Sequence, residues 1–351
     1  MLESKLQEPV GVIGAGSFGT AISNLLAYNT EVLLFSRQKD LVRTINESHK
    51  HPSLDVEVSP RVRATNNLEE VASSCTTIFP IVPSESFRRM MKSLSQYLRP
   101  YHMLIHGTKG LDLRNVNEED LGKGGLKPES ISTMSEVIRE ESVVVRIGCL
   151  SGPNLASEIF EGQPTATVIG SRFDEVIAVG KKVLSSRHFQ VFGTYDIKGA
   201  ELAGALKNII AIGSGILSGL GMGKNIQALL ITRGLMEMIY FGKAFGATPK
   251  PFVGTAGIGD LVCTATSMSS RNFTFGNRLG NGEKKEEIVA SMPEMAEGVR
   301  TLKIAKKLAD ELKLHVPITQ MLFKVVYEEY DMRKAIDYLM RYPYYVDVDF
   351  I

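Results

Sequence analysis

The sequence predicts an α/β protein in two parts: a doubly wound sheet with helices on both faces, followed by an all-α domain. Three observations predict it. The first half alternates short β-branched runs with longer segments of helical periodicity, the pattern of βαβ units and a parallel sheet. A glycine-rich turn closes the first strand. After about residue 196 the strand signals stop and helical periodicity takes over. In chain order, strands are expected at 10–13, 31–35, 77–82, 102–106, 143–149 and 166–169, with helices after Gly19, Lys39, Glu69 and Ser86. The second half reads as helices over 198–219, 226–245, 300–312 and 319–330, with a short terminal helix at 334–341. Residues 113–125 are polar and glycine-rich and read as a surface loop.

A chain of 351 residues is long enough for about two domains. We divide it at 1–196, the sheet-bearing part, and 197–351, the helical part. Forty Lys and Arg against 39 Asp and Glu leave a net charge of +1, which argues against a broad basic face for nucleic acid. Cys75, Cys149 and Cys263 are odd in number and widely spaced, so neither a disulfide framework nor a zinc site is expected and no metal is assigned. The N-terminus does not read as a signal peptide, and the apolar run 202–222 is broken by Lys207 and Asn208. A soluble cytoplasmic protein with no integral membrane segment is the expectation.

Residues 10–19 form an apolar strand, then G-x-G-x-x-G, then a helix start, which is the context a dinucleotide fingerprint requires. Gly14 permits the tight turn, Gly16 lets a pyrophosphate approach the backbone, and Gly19 lets helix and strand pack closely. The turn makes the first domain Rossmann-type. An NAD-binding unit usually carries an acid about 20 residues further on. Here Ser36 and Arg37 follow the second strand instead. Their donors suit a 2′-phosphate, so NADPH is expected, with NADH as a second cofactor. Arg37 stacking on adenine without discriminating phosphate is the other reading.

Lys109 follows an apolar run, at the sheet edge where ligands of open α/β sheets bind, and suits an anionic substrate or a developing oxyanion. The Ser151-Gly152-Pro153-Asn154 turn has a similar position; an ordinary turn is the alternative for both. Gly199, Ala203, Lys207, Ala211, Gly215 and Gly219 recur every fourth residue, so one helical stripe is nearly bare except for Lys207. Something must pack closely on that stripe. Burial lowers a lysine's pKa toward the range useful for proton transfer, unless Lys207 snorkels out of a plain helix seam. Asp260, with Thr264 to Ser270, Arg271 and Asn272 after it, adds an acid and a compact anion-binding group, although Asp260 as a helix cap stays open. His49 and His51 lie beside a proline in a polar loop and read as solvated side chains.

Taken together, GAGSFGTA, IVPS (81–84), GTKG, SGPN, LKNIIAIG (206–213), ITRGL (231–235), GIGDL, SSRN and AEG resemble NAD(P)-dependent sn-glycerol-3-phosphate dehydrogenase of the bacterial type, in that family's order from about residue 10 to 300. The resemblance implies reversible reduction of dihydroxyacetone phosphate to sn-glycerol 3-phosphate, supplying glycerophospholipid synthesis. It implies Lys207 as proton donor and acceptor, Lys109 touching both substrate and cofactor, and Asp260 as an active-site acid. Ser270, Arg271 and Asn272 match substrate contacts, with Arg271 also facing the cofactor. Gly152 and Asn154 align with substrate contacts, and Ala156 with a cofactor contact. Ser17, Phe18, Arg37, Met295 and Glu297 align with further cofactor positions, beside Gly14, Gly16 and Gly19. Asn154 stands where the family usually has Ser or Thr, and 113–125 looks longer than usual. A homodimer is common in the family.

The resulting expectation gathers Arg37, Lys109, Lys207 and Arg271 around one cleft. Two other readings share these features. A related two-domain hydroxyacid dehydrogenase would use the same Arg-Asn anion site for a carboxylate. A non-catalytic NADPH-sensing Rossmann protein would bind cofactor without chemistry, and the lysine in the bare stripe speaks against it.

Overall fold

The computed structural model describes residues 8–114, 116, 126–292, 296–343 and 346–347. The chain divides into two compact units, each made of two pieces: one runs to Thr108 and resumes over Thr133–Ile197, the other takes Lys109–Ser132 and the chain from Lys198 onward.

The strands in chain order are β1 (Val10–Ile13), β2 (Val32–Phe35), β3 (Lys50–His51), β4 (Val56–Glu57), β5 (Val62–Thr65), β6 (Thr77–Pro80), β7 (Met103–His106), β8 (Asp112–Leu113), β9 (Ile131–Ser132), β10 (Arg146–Ser151), β11 (Thr165–Ser171) and β12 (Phe189–Thr194). The first unit is built on an eight-stranded sheet in the order β12-β11-β10-β7-β6-β1-β2-β5. Its helices are α1 (Ser17–Leu26), α2 (Lys39–Ser48), α3 (Leu68–Ser74), α4 (Ser84–Ser95), α5 (Met134–Glu141), α6 (Ala156–Phe160) and α7 (Asp174–Leu184). Every residue of β1, β2 and β7 is buried, as parallel strands covered by helices on both faces must be.

Two sequence expectations are corrected in this unit. The sheet is not wholly parallel: β11 runs antiparallel to β10, with Ser151 opposite Val168, and β12 then runs parallel to β11. Between β10 and β11 the only helix is the five-residue α6, so the chain turns back where a longer crossover would have kept the strands parallel. The strands β5 and β12 escaped the sequence reading because they are the two sheet edges. Arg63 on β5 and Gln190 on β12 face solvent and break up the apolar run that marks an inner strand.

The second unit carries α8 (Ile197–Gly219), α9 (Lys224–Ala244), α10 (Asp260–Thr266), α11 (Arg271–Gly280), α12 (Lys285–Ser291), α13 (Glu297–Leu312), α14 (Pro317–Tyr327) and α15 (Met332–Met340), with a π-helical turn over Thr255–Gly259 leading into α10. From Ile197 onward its described elements are all helical, as expected, and 109–132 adds the antiparallel pair of β8 and β9. That hairpin explains why 109–132 leaves the first unit, where an unbroken division at 196 had put it. Leu111, Leu126 and Ile131 are buried in the helical core. Arg300 of α13 also donates to the Leu111 carbonyl. Of the expected loop 113–125, Leu113 ends β8, and residues 115 and 117–125 lie outside the described residues.

The bare stripe on α8 finds its partner in α11. A Cβ on Gly215 would stand 2.1 Å from the Phe273 carbonyl oxygen, and one on Gly219 would stand 2.2 Å from that of Asn277. From the other side, a Cβ on Gly276 would meet the Ile212 carbonyl oxygen at 2.0 Å. The two helices touch backbone to backbone, which only glycine allows. α8 is long and apolar enough to cross a membrane, yet 89% of its most apolar window is buried inside the protein, as befits a core helix.

Candidate active site

In the first unit the fingerprint turn joins β1 to α1. Gly14 has φ +117°, and a Cβ there would lie 2.0 Å from the Ile81 carbonyl oxygen; one on Gly19 would lie 1.8 Å from that of Gly14. Both positions exclude a side chain. Gly16 is the N-cap of α1, no side chain caps this helix end, and the first turn carries no acid. The first-turn N–H groups, with the positive end of the helix dipole, suit a pyrophosphate. The Phe18 ring packs so closely on Gly107 that a Cβ there would be 3.0 Å from it.

The end of β2 lies beside this turn, since Gly14 N–H donates to the Phe35 carbonyl at 3.1 Å. Arg37 follows two residues on and is exposed, while Ser36 is buried and its Oγ accepts from the Gln38 N–H at 3.2 Å. Ala156 opens α6, which packs against α1. Gly152 has φ +151° in the turn after β10. Asn154, expected as a substrate contact, is hydrogen-bonded within this unit. Its Nδ2 donates to the carbonyls of Pro153 (3.1 Å) and Ala166 (3.0 Å), and its Oδ1 accepts from the Thr167 hydroxyl at 2.9 Å. Both amide protons and the oxygen brace the turn against β11.

In the second unit three of the expected residues meet. Asp260, at the start of α10, is 1% exposed. Its Oδ1 accepts from Lys207 Nζ at 2.6 Å and its Oδ2 from Lys109 Nζ at 2.7 Å. Thr264, one turn along α10, accepts from Lys207 Nζ and donates to Asp260 Oδ1 at 3.2 Å. Lys207 therefore points into a polar cluster and does not snorkel. Burial lowers its pKa to about 8 against the raising effect of the Asp260 charge, and the Lys109 charge lowers it further. A lysine so placed exchanges a proton near neutral pH.

Ser270 caps α11, its Oγ accepting from the Phe273 N–H at 3.3 Å, and Arg271 and Asn272 form the first turn. Asn272 donates to Asn208 Oδ1 at 2.9 Å and accepts from the Gly298 N–H at 2.8 Å. Asn208 in turn donates to the Lys109 carbonyl at 3.4 Å. A buried amide chain thus links the start of α13, where Glu297 sits, to the backbone of Lys109. One N–H of the Asn272 amide remains for a ligand. Met295 lies outside the described residues.

Thr264 and Asn208 were missed as individual site residues, although Thr264 stands four residues after Asp260 and so on the same helix face. His51 was misread: it is 4% exposed, not solvated. Among the described residues no group of three or more His, Cys, Asp or Glu could hold a metal, and Cys75, Cys149 and Cys263 form no disulfide.

Comparison with known proteins covers nearly the whole chain. Residues 9–177 match the family model described as NAD-dependent glycerol-3-phosphate dehydrogenase N-terminus, and residues 196–337 match the model for its C-terminus. Glycerol-3-phosphate dehydrogenase [NAD(P)+] from Pseudomonas aeruginosa is 38% identical over 98% of this chain and 98% of its own. Its counterpart from Azotobacter vinelandii is 39% identical, again over 98% of both chains. The crystal structure of glycerol-3-phosphate dehydrogenase from Coxiella burnetii superposes with a TM-score of 0.85 at 30% identity, covering 95% of this chain and 99% of that one.

Proposed function

Because the chain belongs to the NAD-dependent glycerol-3-phosphate dehydrogenase family, we propose that it reduces dihydroxyacetone phosphate reversibly to sn-glycerol 3-phosphate, with Lys207 as proton donor and acceptor. The observation that carries the assignment is the contact of both Lys207 and Lys109 with the single carboxylate of Asp260. That arrangement places an exchangeable proton and a second positive charge in one buried cluster.

The first unit suits NADPH, with NADH as a second cofactor. Gly14, Gly16 and Gly19 leave room for the pyrophosphate, the Ser17 and Phe18 backbone at the start of α1 meets its charge, and Arg37 meets a 2′-phosphate. Ala156, Lys109, Arg271, Met295 and Glu297 complete the proposed cofactor contacts. When bound, the cofactor supplies the hydride that reduces C2 of the substrate. The chain supplies the rest. Arg271 and the remaining Asn272 N–H hold the substrate phosphate at the start of α11, which Ser270 caps, and Gly152 is a further proposed substrate contact. Lys207, protonated, gives its proton to the C2 oxygen as negative charge develops there, and Lys109 stabilises that charge. Asp260 holds both ammonium groups in place. In the reverse direction neutral Lys207 takes the hydroxyl proton as hydride leaves C2.

The product is a phospholipid precursor, and a cytoplasmic homodimer is the form we propose. The test follows absorbance of the reduced nicotinamide, with NADPH and NADH in parallel. Dihydroxyacetone phosphate should be turned over and small keto acids should not. Turnover of a keto acid alone would favour a hydroxyacid dehydrogenase, and binding of NADPH without turnover of either would rule out catalysis.

A further inference from the structure

His51 belongs to none of the groups described above, yet its ring reaches the fingerprint turn. Its Nε2 lies 2.9 Å from the carbonyl oxygen of Ala15, the residue between Gly14 and Gly16. A carbonyl can only accept, so Nε2 carries the proton. Nδ1 is buried with no hydrogen-bond partner among the described residues.

The ring is held from behind. His51 ends β3, which pairs with β4 through Lys50 opposite Glu57 and His51 opposite Val56. The hairpin is tied to α1 itself: Asn24 donates to the Glu57 carbonyl at 2.8 Å and accepts from the Ser59 N–H at 2.9 Å. His49, the residue that ends α2, takes a left-handed conformation with φ +52°, and its carbonyl accepts from Val58 N–H at 2.8 Å. The hairpin is therefore braced against α1, the helix that the fingerprint turn opens.

The Ala15 carbonyl and the Gly16 N–H belong to one peptide unit, and in a trans peptide they point in opposite directions. There are no cis peptides among the described residues. Drawing the oxygen toward His51 turns the Gly16 N–H the other way. Were the plane to rotate, a carbonyl dipole would meet the incoming phosphate where a donor should. We propose that His51 is a positioning residue for cofactor binding: its Nε2–H fixes the Ala15–Gly16 peptide so that the turn presents N–H groups, not a carbonyl oxygen, to the pyrophosphate. This rests on the reading of the fingerprint turn as the pyrophosphate site.

The test measures NADPH affinity by fluorescence titration, together with kcat, the KM for dihydroxyacetone phosphate and thermal stability. Three variants are compared. His51→Leu removes the donor at similar bulk, and His51→Gln restores an N–H at comparable reach. Gly16→Asp puts a carboxylate at the helix N-cap, which the helix tolerates well and a pyrophosphate does not. His51→Leu should weaken NADPH binding about tenfold, the effect of one hydrogen bond, with kcat at saturating NADPH and the substrate KM near wild type. His51→Gln should recover most of the loss, and Gly16→Asp should abolish binding. If His51→Leu does not fold, His51→Asn, whose amide falls short of Ala15, takes its place with the same expected loss. Binding unchanged in the donor-less variant, or weakened equally in His51→Gln, overturns the proposal. If Gly16→Asp alone loses binding, only the role of His51 fails; if Gly16→Asp binds as wild type, the reading of the turn fails with it.

Discussion

Lys207 Nζ and Asp260 Oδ1 stand 2.6 Å apart, with both side chains almost wholly buried. The same carboxylate also holds Lys109, whose side chain is 18% exposed against 6% for Lys207. One negative charge thus serves two ammonium groups, and the more buried of the two is the easier to discharge. Losing a proton from Lys207 relieves its burial and its repulsion from Lys109 while Asp260 stays paired. This asymmetry in burial supports Lys207 as the proposed proton carrier of the pair.

Lys207→Met should lower kcat by roughly 10²–10⁴, the usual worth of a positioned acid or base, with NADPH affinity intact. Asp260 keeps Lys109 as a partner in this variant, so the fold should survive. The pH dependence has opposite signs in the two directions. Reduction needs the ammonium form and should fall as pH rises through about 8; oxidation needs the amine and should rise through the same range. Steady-state profiles from pH 6 to 10 check this. A Lys207→Met enzyme with near-normal turnover, or parallel profiles in both directions, would remove Lys207 from the proton transfer.

Arg37→Gln should weaken NADPH about 10- to 100-fold, because charge-assisted hydrogen bonds are among the strong ones, and should leave NADH nearly unchanged. Arg37 is exposed, so stability should not move. Separate kcat/KM values for the two cofactors decide the matter. Equal losses with both would mean that the guanidinium stacks on adenine and does not read the phosphate.

Much of this was legible in the sequence, and the illegible parts have physical causes. Val10–Ile13 and Met103–His106 are inner strands, buried on both faces, and their unbroken apolar runs announced them. The direction of Thr165–Ser171 was not announced, because alternation of strands and helices carries no sign of orientation. The bare stripe on Ile197–Gly219 implied a close neighbour but could not name Arg271–Gly280. Lys207, Lys109 and Asp260 were each visible as chemistry-bearing residues, but only the fold puts them on one carboxylate. His51 was misread because a polar stretch of sequence can still turn one ring inward.

The contact of Gly215 with the Phe273 carbonyl makes a further prediction. A methyl group there would approach a backbone oxygen to 2.1 Å, and neither helix can yield by rotating a side chain. Gly215→Ala should therefore destabilise by about 1–3 kcal/mol or more, the range of overpacked cores, despite alanine's better helix propensity. Gly221→Ala is the comparison. That residue has φ +72° and open space around it, so its effect is backbone strain without a clash. Urea denaturation of both variants checks the claim. A Gly215→Ala protein as stable as wild type would show that the helices can separate freely at this point.

Glu237 offers a pH test of stability away from the proposed chemistry. Val316, at the N-cap of α14, supplies no side-chain cap, and Glu237 reaches across from α9 in its place. Its carboxylate accepts from the Ile318 N–H (2.6 Å), the Thr319 N–H (2.9 Å) and the Thr319 hydroxyl (2.7 Å). Burial nevertheless outweighs these donors and raises its pKa to about 7. An unfolded glutamate titrates near 4.3. Between the two values the native state binds a proton that the unfolded chain does not, so this group's contribution to stability declines as pH rises from about 4.5 to about 7 and is flat outside that window. Glu237→Gln cannot titrate. The stability of wild type minus that of Glu237→Gln should shrink across the window, by at most about 1.4 kcal/mol per pH unit. Urea unfolding at intervals from pH 5 to 8 measures the difference while cancelling every other titration. A difference that grew with pH would mean that the helix-end donors hold the carboxylate ionised throughout, and that they outweigh its burial.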